Sequence, residues 1–390
     1  MNKRISIFFP TASVFHQRIF GFLKISFLRH GFEVSGDCRL LDADEMNIWL
    51  KEYKPDVVFE MNRVKDEIPL LHELGIKHIS WVVDMQGRSE SEIRGSEITY
   101  TFDPNWEFHF DTGGHTEWLP PGVCTDSFYF DPNTIKEIDF SFIGHIPYPW
   151  RDFELSRKIR HEEREIYFSD LLASYVAHMA KVSYKQHNHQ KCVTVIDDIL
   201  TEKLGEAVEL SKDMYYDLLV RIKRMSNRTE LIDFVLERSK SLLIYGSENW
   251  KFWSKYGKYY SGFIDNTEEM RQLFIKSKFN LHDGVGFHFR SIDCLASGGT
   301  LFWYDDNGGD RFDEIPVLTN TIPRRGLHSF FEPQRHYFEF RWESFDAVYE
   351  MACERSQQDC KIRQEVTDII NSAHTWDCRV RKIIQDLQRF

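Results

Sequence analysis

The sequence predicts an α/β protein of two doubly wound domains, each a parallel sheet flanked by helices. Three observations carry the prediction. Short apolar strand-like runs alternate with helical segments, at a spacing that implies parallel pairing through crossover helices. The alternation stops at a turn-rich stretch beginning Trp118-Leu-Pro-Pro-Gly122 and restarts at Asp139. The chain has 390 residues, too long for one ordinary hydrophobic core and sufficient for two.

In the first half, residues 5–9 read as a short buried strand and about 14–30 as a helix rich in Phe, Ile and Leu. Further strands are expected at 56–60, 78–83 and 98–102, with helical or loop segments between them. The stretch from Trp118 to Phe128 reads as a linker. In the second half, strands are expected at 139–143, 241–245, 278–282, 299–304 and 315–318, with helices at 268–276 and 288–297. Residues 152–240 read as helical, polar and charged, with no strand pattern. Residues 344–389 read as two or three amphipathic helices. The division is an N-terminal domain over 1–130, a C-terminal domain over 131–370 carrying the insert at about 152–240, and a final helical segment over 371–390. No solenoid repeat or low-complexity tract interrupts this plan.

Composition narrows the function. The formal net charge is −12, from 49 basic and 61 acidic side chains, which disfavours a basic nucleic-acid or anionic-membrane footprint. Apolar residues make up 42%, enough to fill two cores and unlike a disordered chain. The seven cysteines are scattered, with no Cys-x-x-Cys pair, so neither a zinc site nor a disulfide framework is indicated. A reducing cytoplasm is the expected location. The basic start is followed by an apolar run too short for a signal peptide, and no stretch is long enough for a membrane span. Asn227-Arg228-Thr229 matches a glycosylation sequon that a cytoplasmic chain leaves unused.

Two stretches carry a family resemblance. The first runs from His78 to Phe142 through Trp81-Val-Val-Asp84, Thr101-Phe102-Asp103, Trp118-Leu-Pro-Pro-Gly122 and Asp139-Phe-Ser-Phe-Ile-Gly144. The second runs from Tyr245-Gly246 through Gly262-Phe263 and Ser277-Lys-Phe-Asn-Leu-His282 to Phe289-Arg290-Ser-Ile-Asp293-Cys-Leu-Ala-Ser-Gly298-Gly299, ending at Tyr304. In order and spacing these motifs resemble the CgeB-like (spore maturation) family of glycosyltransferases, apart from the 152–240 insert and the C-terminal helices. The resemblance implies the GT-B architecture: two Rossmann-like domains facing a cleft, a nucleotide-sugar held mainly by the second, and a C-terminal helix returning to the first. The family carries Glu in its Arg-x-x-Glu position, where this chain has Asp293, one methylene shorter.

The residues themselves suggest how such a donor is held. His282-Asp-Gly-Val-Gly-Phe-His-Phe-Arg290 follows an expected strand and opens an expected helix. A glycine loop with Gly284 and Gly286 at a helix N-terminus presents N–H groups to a diphosphate. His282, Phe287, His288 and Phe289 belong to the same loop, and Arg290 adds a charge-assisted contact. Asp293, about one turn on, is placed to accept hydrogen bonds from ribose hydroxyls. The alternative is a plain strand-to-helix turn with a surface arginine.

Gly144 and His145, where the second domain's first strand ends, and Arg151 beyond them either face a phosphate or form an exposed loop. Gly246, Glu248 and Phe263 are candidates to frame the base, with Phe263 either stacking or packing in a core. Asp84, at the end of a first-domain strand, is either a general base or a cap, and His16 either orients a sugar or is structural. Asp42-Ala-Asp44, Asp305-Asp-Asn-Gly-Gly-Asp310 and the histidines 178, 187 and 189 lack a convincing metal pattern.

These expectations describe a metal-independent glycosyltransferase with a nucleotide-sugar substrate, no cofactor and an acceptor of unknown kind. Two rivals stand beside it: a nucleotide-sugar epimerase or hydrolase on the same fold, and a non-catalytic nucleotide-sugar-binding protein. A dinucleotide oxidoreductase is disfavoured because no Gly-x-Gly-x-x-Gly follows the first strand.

Overall fold

The computed structural model describes residues 3–84, 93–104, 111–133, 135–182, 189–305, 326–355 and 360–390. Six parallel strands form the first sheet: β1 (Arg4–Phe8), β2 (Glu33–Asp37), β3 (Val57–Met61), β4 (Lys77–Val82), β5 (Ile98–Thr101) and β6 (His115–Trp118), in the order β2-β1-β3-β4-β5-β6. The central strands read as near-continuous apolar runs because helices cover both faces of a parallel sheet. In β3 every residue is buried. The helices of this half are α1 (Val14–Arg29), α2 (Ala43–Tyr53) and α3 (Pro69–Glu73). Ser13 caps α1, and Asp42 with Glu45 forms a capping box on α2, which gives Asp42 a structural role.

The second half opens with β7 (Ile138–Ile143) and passes at once into the insert: α4 (Asp152–Leu155), β8 (Lys158–His161), β9 (Arg164–Tyr167), α5 (Phe168–Met179), α6 (His189–Leu204), α7 (Lys212–Tyr216) and α8 (Ile222–Leu236). The insert has its own core, in which Phe168, Leu171, Ile196, Leu200 and Leu218 are fully buried. The chain then supplies β10 (Leu242–Tyr245), β11 (Tyr260–Gly262), α9 (Thr267–Lys276), β12 (Ser277–Asp283), α10 (Phe289–Ala296), β13 (Leu301–Tyr304) and β14 (Phe338–Phe340). The second sheet is also parallel, in the order β11-β10-β7-β12-β13-β14. Counted from β7, this is the 3-2-1-4-5-6 order of a dinucleotide-type doubly wound sheet, whose connections reverse direction between β7 and β12.

Three helices close the chain: α11 (Phe345–Arg355), α12 (Cys360–Ala373) and α13 (Trp376–Leu387). The last packs on the first sheet's layer, where Trp376, Val380, Ile383 and Leu387 join the core of Ile5, Phe59, Trp81 and Tyr100. Val123 and Thr375 pair where the two connections between the halves meet. Arg379 fastens that crossing by donating to the carbonyls of Pro120, Pro121 and Ala373.

Two expectations change. The insert holds an antiparallel hairpin, β8–β9, where no strand was expected. Its sequence, Lys-Ile-Arg-His-Glu-Glu-Arg-Glu-Ile-Tyr, is too polar to show a buried face, and it turns through Glu162 at φ 51°. Trp118 ends strand β6 and does not begin the linker. The strand expected at 315–318 lies outside the described residues.

Candidate active site

Ligands of open parallel sheets bind beyond the carboxyl ends of the strands, at the point where the connections reverse. Here that point lies between β7 and β12, and the chain emerges as Gly144-His145 from the first and Asp283-Gly284 from the second. Arg290, in the first turn of α10, reaches across the end of β7 and donates to the carbonyl oxygen of Ile143. A Cβ on Gly144 would stand 3.0 Å from its guanidinium. Gly246 follows β10 at φ 143°, and a Cβ there would lie 2.1 Å from the Gly144 oxygen, so only glycine lets the two loops approach this closely.

Two more arginines reach this point from α8. Arg228 donates from Nε to Oδ2 of Asp283 at 2.9 Å, with both side chains largely shielded from solvent. Arg224, one turn earlier and half-buried, makes no ion pair or side-chain hydrogen bond among the described residues. Burial and the neighbouring cations depress two of these arginines. Burial and then Arg228 push the Arg290 guanidinium down to about 10, and burial and Arg228 also lower Arg224. Burial pulls the Asp283 carboxyl up, but Arg228 and Arg290 hold it below the usual carboxylate range. Cations packed against one another in a crevice favour an anionic ligand.

The histidines contribute no charge. Desolvation and then Arg228 and Arg224 lower His145 to about 4, while burial and then Arg290 bring His282 to about 4 and hold His288 well below its ordinary value.

The loop joining β12 to α10 is braced from within. His282 donates from Nε2 to the Val285 oxygen at 2.9 Å, and Trp303 donates to the Gly284 oxygen at 2.9 Å. Gly284 takes φ 84° and faces open space, while Gly286 lies against the Trp303 ring. His288 caps α10 by accepting the Arg290 N–H, so that amide is already engaged.

Phe287 packs against Trp118 and Phe330, and Phe289 stacks on Phe102 at 5.3 Å and meets Phe15 edge-on at 4.9 Å. Both rings therefore serve packing, Phe289 in the first sheet's core. Asp293 is 5% exposed, and its carboxyl is raised to about 7 by burial, opposed by Arg18 of α1.

Across the crevice, Asp84 follows β4 and is exposed. Asn62, in the left-handed region at φ 62°, donates from Nδ2 to Asp84 Oδ2 at 3.0 Å and accepts the Val83 and Asp84 amide N–H groups at its Oδ1. His16 sits in the first turn of α1 with Nδ1 3.0 Å from the Thr11 oxygen. Burial lowers its imidazole, opposed by that hydrogen bond and by the nearby Asp84 charge. The Asp84 charge also reaches Arg224, so the two faces are electrostatically in contact.

The remaining candidates lie further out. Arg151 is committed to Glu154, and Glu248 is exposed and paired with Lys251 at 2.7 Å. Phe263 is 64% exposed at the end of β11 and can offer a face, unlike a core residue. His178 is exposed on α5; His187 and the side chain of His189 lie outside the described residues. Asp305 pairs with Arg341, while 306–310 are outside the described residues. Among the described residues, one acidic-histidine group converges, His115, Glu117 and Asp386, away from the crevice; the Lys382 ammonium binds both of its carboxylates.

Sequence reasoning missed Arg224, Arg228, Asp283 and Asn62. A signal existed for the arginines: Arg221, Arg224 and Arg228 share one helical face in an otherwise acidic chain. Nothing local indicated that the insert returns this face to the end of β7.

Fold and crevice together define a two-domain GT-B fold whose reversal point is lined by arginines. Solved structures agree on the fold. A sucrose-phosphate synthase from Thermosynechococcus elongatus matches with TM-score 0.56 and 8% identity, over 100% of this chain and 99% of that one. Anabaena HepE, in complex with UDP and glucose, matches with TM-score 0.50 and 9% identity over 100% of both chains. An α-glucosyltransferase in complex with UDP and a DNA 13-mer matches with TM-score 0.50 and 10% identity over 98% of both. No protein-family model and no curated protein matches the chain. Among the described residues, no helix is long and apolar enough to cross a membrane.

Proposed function

We propose that this chain is a metal-independent glycosyltransferase of CgeB-like type, moving a sugar from a nucleoside diphosphate to an acceptor hydroxyl. The observation that carries the reading is the convergence of Arg224, Arg228 and Arg290 at the reversal point of the second sheet, with Asp84 and His16 opposite. With Asp283 included, these groups leave a net positive charge suited to a diphosphate. UDP in two of the structural matches is in keeping with it.

In the proposed reaction, Asp84 accepts the proton of the acceptor hydroxyl as its oxygen bonds to the anomeric carbon. The bond from that carbon to the β-phosphate oxygen breaks, and the departing diphosphate keeps the electron pair. The arginines stabilise its growing charge, the task a metal ion performs elsewhere. His16 and His145 are available to orient sugar hydroxyls, whereas His282 is spent on bracing the loop.

The test is incubation with a panel of UDP- and TDP-sugars, with and without chelator, measuring free nucleoside diphosphate and transferred sugar. Turnover that persists in chelator supports the reading. Tight binding with no turnover on any donor sinks it in favour of a binding protein.

A further inference from the structure

Arg224 and Arg228 enter the crevice from a helix that begins in the insert, so something must fix that helix's rotation about its axis. α7 and α8 form one continuous helix interrupted by a π turn at Asp217–Arg221, in which the Ile222 N–H donates to the Asp217 oxygen five residues back. A π turn carries one residue more than an α turn, so relaxing it would rotate everything downstream by about 100°. The turn reconciles two cores on one helix: Leu218 packs in the insert, whereas Leu231, Ile232 and Val235 pack beneath the second sheet.

A buried charge network holds the turn. Arg221 donates to Glu154 at 2.8 and 3.2 Å, to Asp217 at 3.2 Å and to the Tyr148 carbonyl at 2.9 Å, and lies 4.0 Å over the Trp150 ring. Arg157 pairs with the other oxygen of Asp217, and Glu154 also accepts the Arg151 N–H. A buried ion network adds little net stability compared with apolar packing, but removing one partner leaves the others buried and uncompensated, so the network holds together or fails as a unit. Two features tie that geometry to the crevice. Arg221, Arg224 and Arg228 lie on one helical face. The Tyr148 carbonyl that Arg221 grips belongs to the loop that carries His145.

We propose that Glu154, Asp217 and Arg221 are positioning residues, which lock the π turn and thereby aim Arg224 and Arg228 at the diphosphate. The insert is then a splint for the donor pocket. This rests on the glycosyltransferase reading, and the experiment separates the two.

Calorimetry compares wild type, Glu154→Gln and Arg221→Lys with UDP, inorganic pyrophosphate and uridine, alongside thermal melts. Glu154→Gln keeps the shape and removes the charge. UDP and pyrophosphate affinity should fall at least tenfold, with uridine binding changed less than twofold. Adding Glu154→Gln to the Arg224→Ala/Arg228→Ala double variant should cost little beyond that double variant alone, a non-additivity that a merely stabilising role does not produce. Unchanged pyrophosphate binding, equal loss for uridine and UDP, or full additivity overturns the inference. If Glu154→Gln does not fold, Arg221→Lys carries the same comparison. A wild type that binds neither UDP nor pyrophosphate removes the functional reading and the inference together.

Discussion

At the carboxyl edge of the second sheet, three arginines converge on the ends of β7 and β12; at the facing edge of the first sheet, Asp84 stands open to solvent on an asparagine bracket beside His16. Both edges belong to six-stranded parallel sheets of similar build. Their chemistry therefore comes from the loops and helices that follow the strands and not from the sheets. The cationic edge is partly buried and cross-braced, which under the proposed reaction suits the holding of a departing diphosphate. The anionic edge is exposed, as suits a base that receives a proton from a second substrate.

The division of labour breaks most visibly if Asp84 is neutralised. Asp84→Asn preserves the Asn62 contacts in shape and should lower kcat by about 10²–10⁴, the scale of a positioned general base, with donor affinity unchanged. A normal transfer rate in a steady-state assay would move the base elsewhere. Next in size is the opposite edge: Arg290→Ala should weaken UDP binding by about 1.5–3 kcal/mol, as for a hydrogen bond to a charged group. Calorimetry showing unchanged affinity in a folded variant would reduce Arg290 to a clamp on the Ile143 carbonyl.

An effect of another kind, on stability and not on turnover, is expected in pH dependence. The Asp293 carboxyl rises from 3.8 in the unfolded chain to about 7 in the folded one, mainly through burial. The folded state therefore holds the extra proton between those values, and stability falls as pH rises from about 4 to about 7. His282, lowered to about 4 by burial, acts in the opposite sense, its contribution being lost as pH falls below about 6.5. Melts of wild type against Asp293→Asn isolate the first effect, because the histidine is common to both. A pH-independent difference would mean that Asp293 is ionised throughout. Smallest of all, Phe263→Ala should change stability by no more than about 0.5 kcal/mol, since the ring is exposed. It should weaken UDP but leave pyrophosphate binding untouched; equal effects on both ligands would end its assignment to the base.

The fold was legible where burial leaves a pattern. β1, β3, β4, β5, β7, β10, β12 and β13 fall within about two residues of the expected strands, because strands covered on both faces are short apolar runs. β2, with Glu33, Gly36 and Asp37, and the three-residue β11 and β14 carry too few apolar residues for that pattern. In the candidate site, the loop from His282 to Arg290 was visible because strand, glycines and helix are adjacent in sequence. Arg228 was noticed only as the middle of an unused sequon, since its partner Asp283 is 55 residues away. The contact depends on the π turn and the crossover, which local propensity does not encode. Asn62 was equally hidden, because its work is done on another strand's backbone.

The return of α13 to the first sheet bears on how the protein is made. Trp376, Val380, Ile383 and Leu387 complete a core whose other members begin at Ile5. During synthesis the first half therefore emerges with one flank uncovered, and stays so while the insert and the whole second sheet are translated. The halves cannot mature one after the other as separate beads; the first waits for α13, which must close a very long loop before that flank is dry. Pulse-labelled nascent chains should accordingly gain protease resistance in the first half only once α13 has emerged from the ribosome, and earlier resistance would show that α1 and the sheet suffice without it.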